Sequence, residues 1–223
     1  MSWGGESVNV CFHGVGTPAR ELEPGEAPYW IDVPTFLGVL DLVVNDPRVQ
    51  LSFDDGNASD VLIGLPALLE RGLDATFFVL AGRLDQPGSL STQDVRDLAA
   101  AGMRIGTHGM DHVPWRRLEP HQRQRELVDA RRRIEDIVGA RVDEAALPLG
   151  RYDRTLLAHL RRLGYAAVHS SDRCRARSDA WLRPRYSIRS DDTVAAVRET
   201  VLAAPSVGSR AERLVTTTVK RLR

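Results

Sequence analysis

The sequence lacks the features that would place the protein in a membrane or outside the cell. No apolar run approaches the roughly 20 residues that a membrane-spanning helix needs. The N-terminal segment MSWGGESVNV has neither the positive start nor the apolar centre of a secretory signal peptide. Only two cysteines occur, Cys11 and Cys174, and they form no Cys-x-x-Cys pair. These absences predict a cytoplasmic protein, with Cys11 as an ordinary core residue.

An excess of charge is absent as well. Thirty basic residues balance thirty acidic ones, so we expect no nucleic acid partner. Residues are 43% hydrophobic in a chain of 223, which is enough for one sizeable core. We therefore predict a single domain over residues 1–205 and a basic tail over residues 206–223. That tail is either a solvated chain end or a contact with a phosphate-bearing surface such as a membrane. The sequence does not define an oligomeric state.

Short apolar runs alternate with amphipathic segments along the chain. The runs predict strands at 8–12, 49–53, 74–80, 103–108, 144–149, 165–169 and 185–188. The amphipathic segments predict helices at 59–72, 91–102, 118–138 (an exposed one), 154–164 and 191–203, and residues 14–35 read as an irregular surface loop. This alternation indicates an α/β fold with a mainly parallel sheet. Because a full eight-fold barrel takes about 250 residues, we expect a distorted or incomplete (β/α) barrel of about seven strands.

Ionisable side chains collect where the predicted strands end. His13 follows the first strand, Asp54 and Asp55 follow the second, and His108 ends a later strand with His112 four residues further on. In barrels and open α/β sheets, working residues gather at the carboxyl ends of the strands. We therefore expect these five side chains to converge on one site.

The spacing His-x-x-x-His indicates a metal site. The glutamate that follows the first histidine of a metalloprotease helix is absent, so His108 and His112 need a third ligand, which Asp54 or Asp55 can supply. The remaining aspartate can then take a proton from a metal-bound water whose pKa the metal lowers to roughly 7. Hydrolysis also needs a proton donor for the leaving group, and His13 is the candidate.

Three segments, two of which carry these residues, resemble the motifs of a known family. SFDDG (52–56), HGMDH (108–112) and LPLGRYD (147–153) are similar to motifs of the polysaccharide deacetylases, the NodB-like carbohydrate esterase family 4. The resemblance extends from about His13 to Arg185. It implies a distorted (β/α) barrel that removes N-acetyl groups from amino sugars with a divalent metal, expected to be zinc, with cobalt, manganese or nickel as alternatives.

The resemblance also implies roles for individual residues. Asp54 matches the general base, and Asp55, His108 and His112 match the metal ligands. The backbone N–H near Leu149 matches the donor to the oxyanion of the tetrahedral intermediate.

The sequence departs from the family pattern in three places. Ala146 stands where an arginine often precedes the third motif's proline, and Arg185 is the candidate replacement. Leu149 stands where the motif has an aromatic residue. The late Leu-x-Leu-His motif is absent, and the nearest histidine, His169, reads as a strand end. However, VNVCFHGVG resembles the N-terminal Tyr-His segment of a subgroup acting on poly-N-acetylglucosamine, which makes His13 the expected general acid.

Aromatic side chains near these motifs are candidate platforms for a sugar ring. Tyr29, Trp30, Trp115 and Trp181 lie in predicted loops. The expected substrate is a carbohydrate, either a saccharide or a nucleotide-linked or lipid-linked precursor.

Three other functions stay open on the sequence alone. The same site could hydrolyse a non-sugar C–N bond, and two histidines with one carboxylate also hold iron(II) in oxygenases. The departures from the motifs also fit a catalytically inactive carbohydrate-binding homologue.

Overall fold

The structure, a computed structural model, describes residues 5–202. Its strands are β1 (Glu6–Phe12), β2 (Gly14–Val15), β3 (Trp30–Ile31), β4 (Val49–Phe53), β5 (Ala75–Val79), β6 (Arg104–Thr107), β7 (Glu144–Ala146), β8 (Ala167–Ser170), β9 (Ala176–Arg177) and β10 (Leu182–Ser187). Seven of these described strands are parallel and form a barrel in the order β1-β4-β5-β6-β7-β8-β10, which closes where β10 pairs with β1. The predicted barrel of about seven strands is therefore confirmed.

Helices on the outside of the barrel connect the strands. Their bounds are α1 (Val33–Val43), α2 (Leu65–Glu70), α3 (Thr92–Ala100), α4 (Pro120–Gln124), α5 (Ala130–Val138), α6 (Arg154–Arg162) and α7 (Val194–Val197). A π-helical turn at Asp60–Gly64 leads into α2, and another at Arg125–Asp129 joins α4 to α5. A capping box starts α3, where the side chains of Ser91 and Asp94 each bond to the backbone N–H of the other residue.

Two of the predicted elements need correction. Residues 14–35 are not irregular throughout, because β2 and β3 pair and α1 begins at Val33 after the N-cap Asp32. The apolar residues of α1 recur at helical spacing and are buried, a pattern that the adjoining Gly- and Pro-rich loop obscured. The segment 118–138 is helical over most of its length but not simply exposed, since Leu127 and Ile134 are buried.

Aromatic packing fixes the ends of the strands that carry the site. Phe12 and Phe53 end β1 and β4, are fully buried, and their ring centroids lie 5.3 Å apart. Phe53 also stacks on Phe77 of β5 at 4.7 Å, and Phe36 of α1 meets Phe12 edge-on at 5.0 Å. Such pairs add to the free energy of burial and leave little room for movement. The residues that follow Phe12 and Phe53 therefore extend from tightly packed strand ends.

Within residues 5–202, none of the helices is both long and apolar enough to cross a lipid bilayer. The predicted domain end at residue 205 and the basic tail at 206–223 lie outside the described residues.

Candidate active site

The carboxyl ends of β1, β4 and β6 bring the five predicted residues into one cavity. His13, Asp54, Asp55, His108 and His112 all line a space of about 340 Å³. The parallel register places Phe12 opposite Phe53, so the residues that follow them in the two strands emerge side by side. The convergence predicted from strand ends is therefore observed.

Asp55, His108 and His112 point their free atoms at one another. The Asp55 Oδ1 atom lies 3.5 Å from His108 Nε2 and 3.4 Å from His112 Nε2. This oxygen is buried and has no hydrogen-bond partner among the described residues. The backbone of Asp55 is left-handed, with φ of 74°. The side chain therefore does not follow the alternating directions of the residues in β4, and its carboxylate faces the two histidines.

The other ring nitrogen of each histidine is occupied. His108 Nδ1 lies 3.0 Å from the carbonyl oxygen of Ala146, and His112 Nδ1 lies 2.7 Å from Glu23 Oε2. Since those oxygens can only accept, each Nδ1 donates, and the Nε2 atom of each ring faces Asp55. Burial lowers the pKa of His108 to about 4, which keeps this ring neutral near pH 7.

This donor set fits a divalent cation. Two ligand atoms bound to one tetrahedral zinc at about 2.0–2.1 Å are about 3.3 Å apart, close to the spacings from Asp55 to the two rings. A buried carboxylate oxygen without a partner and two imidazoles with outward lone pairs are the groups that such an ion requires. The predicted ligand residues are thus compatible with zinc binding.

Asp54 forms a two-pronged ion pair with Arg185. The two terminal nitrogens of Arg185 lie 2.6 Å from the two oxygens of Asp54, and one of them also donates to Ser52 Oγ at 3.0 Å. Burial opposes ionisation of Asp54, but the Arg185 guanidinium outweighs it and holds the pKa of that carboxyl well below its usual range. Arg185, the sequence candidate for the missing motif arginine, thus contacts both oxygens of Asp54.

His13 lies beside Asp54, directly after the carboxyl end of β1. Its Nε2 is 3.9 Å from Asp54 Oδ2, and its ring lies 4.8 Å from the ring of Tyr29. Cys11, fully buried as predicted, places its Sγ 4.0 Å from His13 Nδ1. The Tyr29 ring also lines the cavity, so it is the aromatic candidate that the structure brings to the site.

The third motif forms a tight turn at the cavity wall. A single 3₁₀ turn spans Pro148–Gly150, and Leu149 at its centre has φ of 55° and a side chain that is 56% exposed. A β-carbon at Gly150, which has φ of 60°, would collide with Ser171. Leu149 and Gly150 both line the cavity, so this turn forms part of its wall.

The three tryptophans proposed as sugar platforms are not in the cavity. Trp30 and Trp115 are buried, and their indole nitrogens lie 3.3 Å from Glu26 and Glu126 respectively. Trp181 donates its N–H to a backbone carbonyl, and none of the three belongs to the residues that line the site. The prediction that these rings contact the sugar was wrong, because a predicted loop position does not indicate the direction of a side chain.

Other residues complete the description of the site. His169 lies in β8 with its Nε2 2.9 Å from Glu144, inside the barrel and away from the cavity, as expected of a strand residue. Glu23 and Glu26 line the cavity although no sequence motif marked them. Both lie in the segment between β2 and β3, which has no periodicity from which their direction could be inferred.

Comparisons with known proteins find relatives of this chain. A family model for polysaccharide deacetylase matches residues 42–168. The chitooligosaccharide deacetylase of Bradyrhizobium sp. (strain ANU 289) is 30% identical over 152 residues, which cover 67% of this chain and 66% of that protein. YxkH of Bacillus subtilis (strain 168) is 26% identical over 117 residues, which cover 52% of this chain and 42% of YxkH. The aligned region thus spans less than half the length of that relative.

A solved structure supports the fold. The Streptococcus pyogenes deacetylase PplD, solved in complex with acetate, superposes with a TM-score of 0.75 at 18% identity. The match covers 91% of this chain and all of PplD, at 100%. At this identity, the likeness establishes a shared barrel architecture.

Proposed function

Because the chain belongs to the polysaccharide deacetylase family, we propose that it hydrolyses the N-acetyl group of an N-acetylated amino sugar with the help of a divalent cation. The observation that carries the proposal is the convergence of Asp54, Asp55, His13, His108 and His112 on one cavity, with Arg185 bound to Asp54. Two carboxylates that are adjacent in sequence thereby face different partners and take different roles.

Asp55, His108 and His112 would hold the cation, with zinc expected and cobalt, manganese or nickel as substitutes. When bound, such an ion makes water more acidic and polarises the amide carbonyl. The two histidines direct Nε2 at the cation position because each Nδ1–H donates a hydrogen bond, that of His108 to the carbonyl of Ala146 and that of His112 to the carboxylate of Glu23.

Asp54 would act as the general base. Arg185 uses one lone pair of each carboxylate oxygen, and a second lone pair on Oδ2 remains for an attacking water. The lowered pKa keeps Asp54 ionised throughout the neutral range but makes it a weak base. A weak base suffices only when the attacking water is itself made more acidic, which links the role of Asp54 to the neighbouring cation site.

His13 and the Leu149 turn would act on the other atoms of the amide. His13, 3.9 Å from Asp54, is placed to donate a proton to the departing amine. The backbone N–H of the turn centred on Leu149 would donate to the oxyanion of the tetrahedral intermediate. His13 does not belong to the group formed by Asp55, His108 and His112, so its proton remains available to the leaving group when the cation is bound.

The cavity limits the substrate class. About 340 Å³ is at the small end of ligand sites, so it suits one sugar ring with its acetamido group rather than a longer chain enclosed in full. Tyr29 supplies an aromatic surface beside His13 on which a sugar ring can pack. A saccharide end, or a nucleotide-linked or lipid-linked sugar, meets this requirement.

The test is acetate release by zinc-loaded protein. The substrates are N-acetylglucosamine oligosaccharides, a nucleotide-linked N-acetylhexosamine and simple non-sugar amides, and the control is Asp54→Asn. The proposal predicts acetate from at least one sugar and none from the variant. Three results would contradict the proposal. Preference for non-sugar amides would favour hydrolysis of another C–N bond, and turnover that needs iron and oxygen would favour an oxygenase. Sugar binding without turnover in either protein would favour an inactive carbohydrate-binding homologue.

A further inference from the structure

The two histidines of the cation site are oriented in different ways. His108 is 2% exposed, and its Nδ1 bonds a backbone carbonyl at the end of β7. His112 lies outside any helix or strand, with a left-handed backbone at φ of 56°. Its Nδ1 bonds the carboxylate of Glu23, a residue 89 positions away in the sequence. Barrel backbone thus fixes His108, whereas a side chain from a distant loop fixes His112.

Glu23 is itself held in place by a network that begins in the protein interior. Its second oxygen accepts a hydrogen bond from Arg83, which follows β5. Its backbone N–H donates to Glu26 Oε2 at 2.8 Å. Glu26 is 7% exposed and accepts further bonds from Arg20 and Trp30. A carboxylate restrained at both oxygens and at its backbone loses little conformational entropy when it orients a neighbour.

We propose that Glu23 is a positioning residue for the cation site, which holds the ring of His112 with Nε2 directed at Asp55 and strengthens binding of the divalent cation. The inference rests on the proposed function, since it requires that Asp55, His108 and His112 bind an ion. Carboxylates that accept from a ligand histidine fix the ring and increase its basicity, and their loss lowers metal affinity by about 10–100-fold.

The test is Zn²⁺ affinity of the metal-free protein, measured by competition with a chromogenic chelator. Glu23→Ala is expected to raise the dissociation constant by about 10–100-fold, and Glu23→Gln, which keeps an acceptor oxygen, by less. The matched control is Glu21→Gln, which removes the same charge from an exposed side chain two residues away. It is expected to bind Zn²⁺ like the wild type.

A second readout does not depend on the ion. In the metal-free wild type at alkaline pH, ¹⁵N NMR of the imidazoles should find His112 protonated at Nδ1, and Glu23→Ala should shift its tautomer equilibrium while that of His108 stays unchanged. Zn²⁺ affinity within about twofold of wild type in Glu23→Ala, an equal loss in Glu21→Gln, or an unchanged His112 tautomer would overturn the inference. A wild type that binds no Zn²⁺ would overturn the proposed function with it, so the two failures are distinguishable.

Discussion

Arg185 binds Asp54 through both of its terminal nitrogens, each 2.6 Å from one carboxylate oxygen, although 131 positions separate the two residues. The strands that carry them are not neighbours, because β1 lies between β4 and β10 in the barrel. Both side chains are almost fully buried, and the guanidinium also lies 5.1 Å from the ring of Phe78. This ion pair compensates a charge in the barrel interior and fixes the direction of the carboxylate at the same time.

Removing Arg185 should therefore lower both stability and turnover. Arg185→Met leaves the buried Asp54 charge without a partner, and we expect about 3–5 kcal/mol less free energy of unfolding at neutral pH. Arg185→Lys keeps the charge without the two-pronged contact, so its loss should be smaller. Denaturant unfolding measures the first effect and acetate release the second.

The matched control lies on the same strand. Arg183 pairs with Glu144 at 3.3 Å at a partly exposed position, and Arg183→Met should cost no more than about 1 kcal/mol. Equal stability of Arg185→Met and wild type would show that the ion pair does not compensate Asp54.

The site was predictable from sequence where strand ends determined it. Asp54, Asp55 and His108 follow apolar runs directly, and parallel strands bring such positions to one end of a barrel. Arg185 was identified only as a substitute for an arginine missing at Ala146, because nothing local marks a strand residue as facing inward. The ion pair depends on barrel closure between β10 and β1, a contact between distant parts of the chain.

The loop residues were predicted less well. Glu23 orients His112 across 89 positions, and no periodicity indicates that contact. Trp30 and Trp115 were expected at the cavity because they flank the motifs, but their large apolar surfaces are buried instead. Proximity in sequence to a motif predicted neither burial nor direction for these residues.

His13 should be required for turnover but not for cation binding. Among the described residues, two histidines lie next to Asp54, and only His13 is not also next to Asp55. We expect His13→Gln to slow acetate release by about 10²–10⁴-fold. Zn²⁺ affinity should stay at the wild-type level. His159→Gln, on α6 and away from the cavity, is the control. Turnover of His13→Gln within a few-fold of wild type would assign the leaving-group proton to another donor.

The backbone of Leu149 should matter more than its side chain. Leu149→Gly keeps the N–H and suits the left-handed φ of 55°, so turnover should stay within a few-fold of wild type. Leu149→Pro removes the N–H and requires φ near −65°, and we expect about 10²–10³-fold slower turnover. Unfolding curves establish that both variants fold. Similar turnover in the two variants would exclude an oxyanion role for this N–H.

His169 should make the fold less stable in mild acid. Burial lowers its pKa to about 4, although Glu144 acts in the opposite direction, whereas an unfolded histidine titrates near about 6.5. Above about 6.5 both states are neutral and the contribution to stability is complete. As the pH falls from about 6.5 to 4, only the unfolded chain takes up the proton, and stability decreases by about 1.4 kcal/mol per pH unit.

Denaturant unfolding across this pH window measures the slope. His169→Gln can still donate to Glu144 and should show a shallower decrease than the wild type between about pH 6.5 and 5. Identical slopes would mean that His169 does not set the acid sensitivity.

The proposal that Asp55 binds the cation while Asp54 acts as the base is tested most directly by the zinc content after equilibrium dialysis. Asp55 faces His108 and His112, whereas Asp54 is bound by Arg185. The wild type and Asp54→Asn should each retain one zinc per chain, and Asp55→Asn should retain none. Zinc retained by Asp55→Asn, or its absence from the wild type, would contradict the assignment of these residues and the metal-dependent reaction that depends on it.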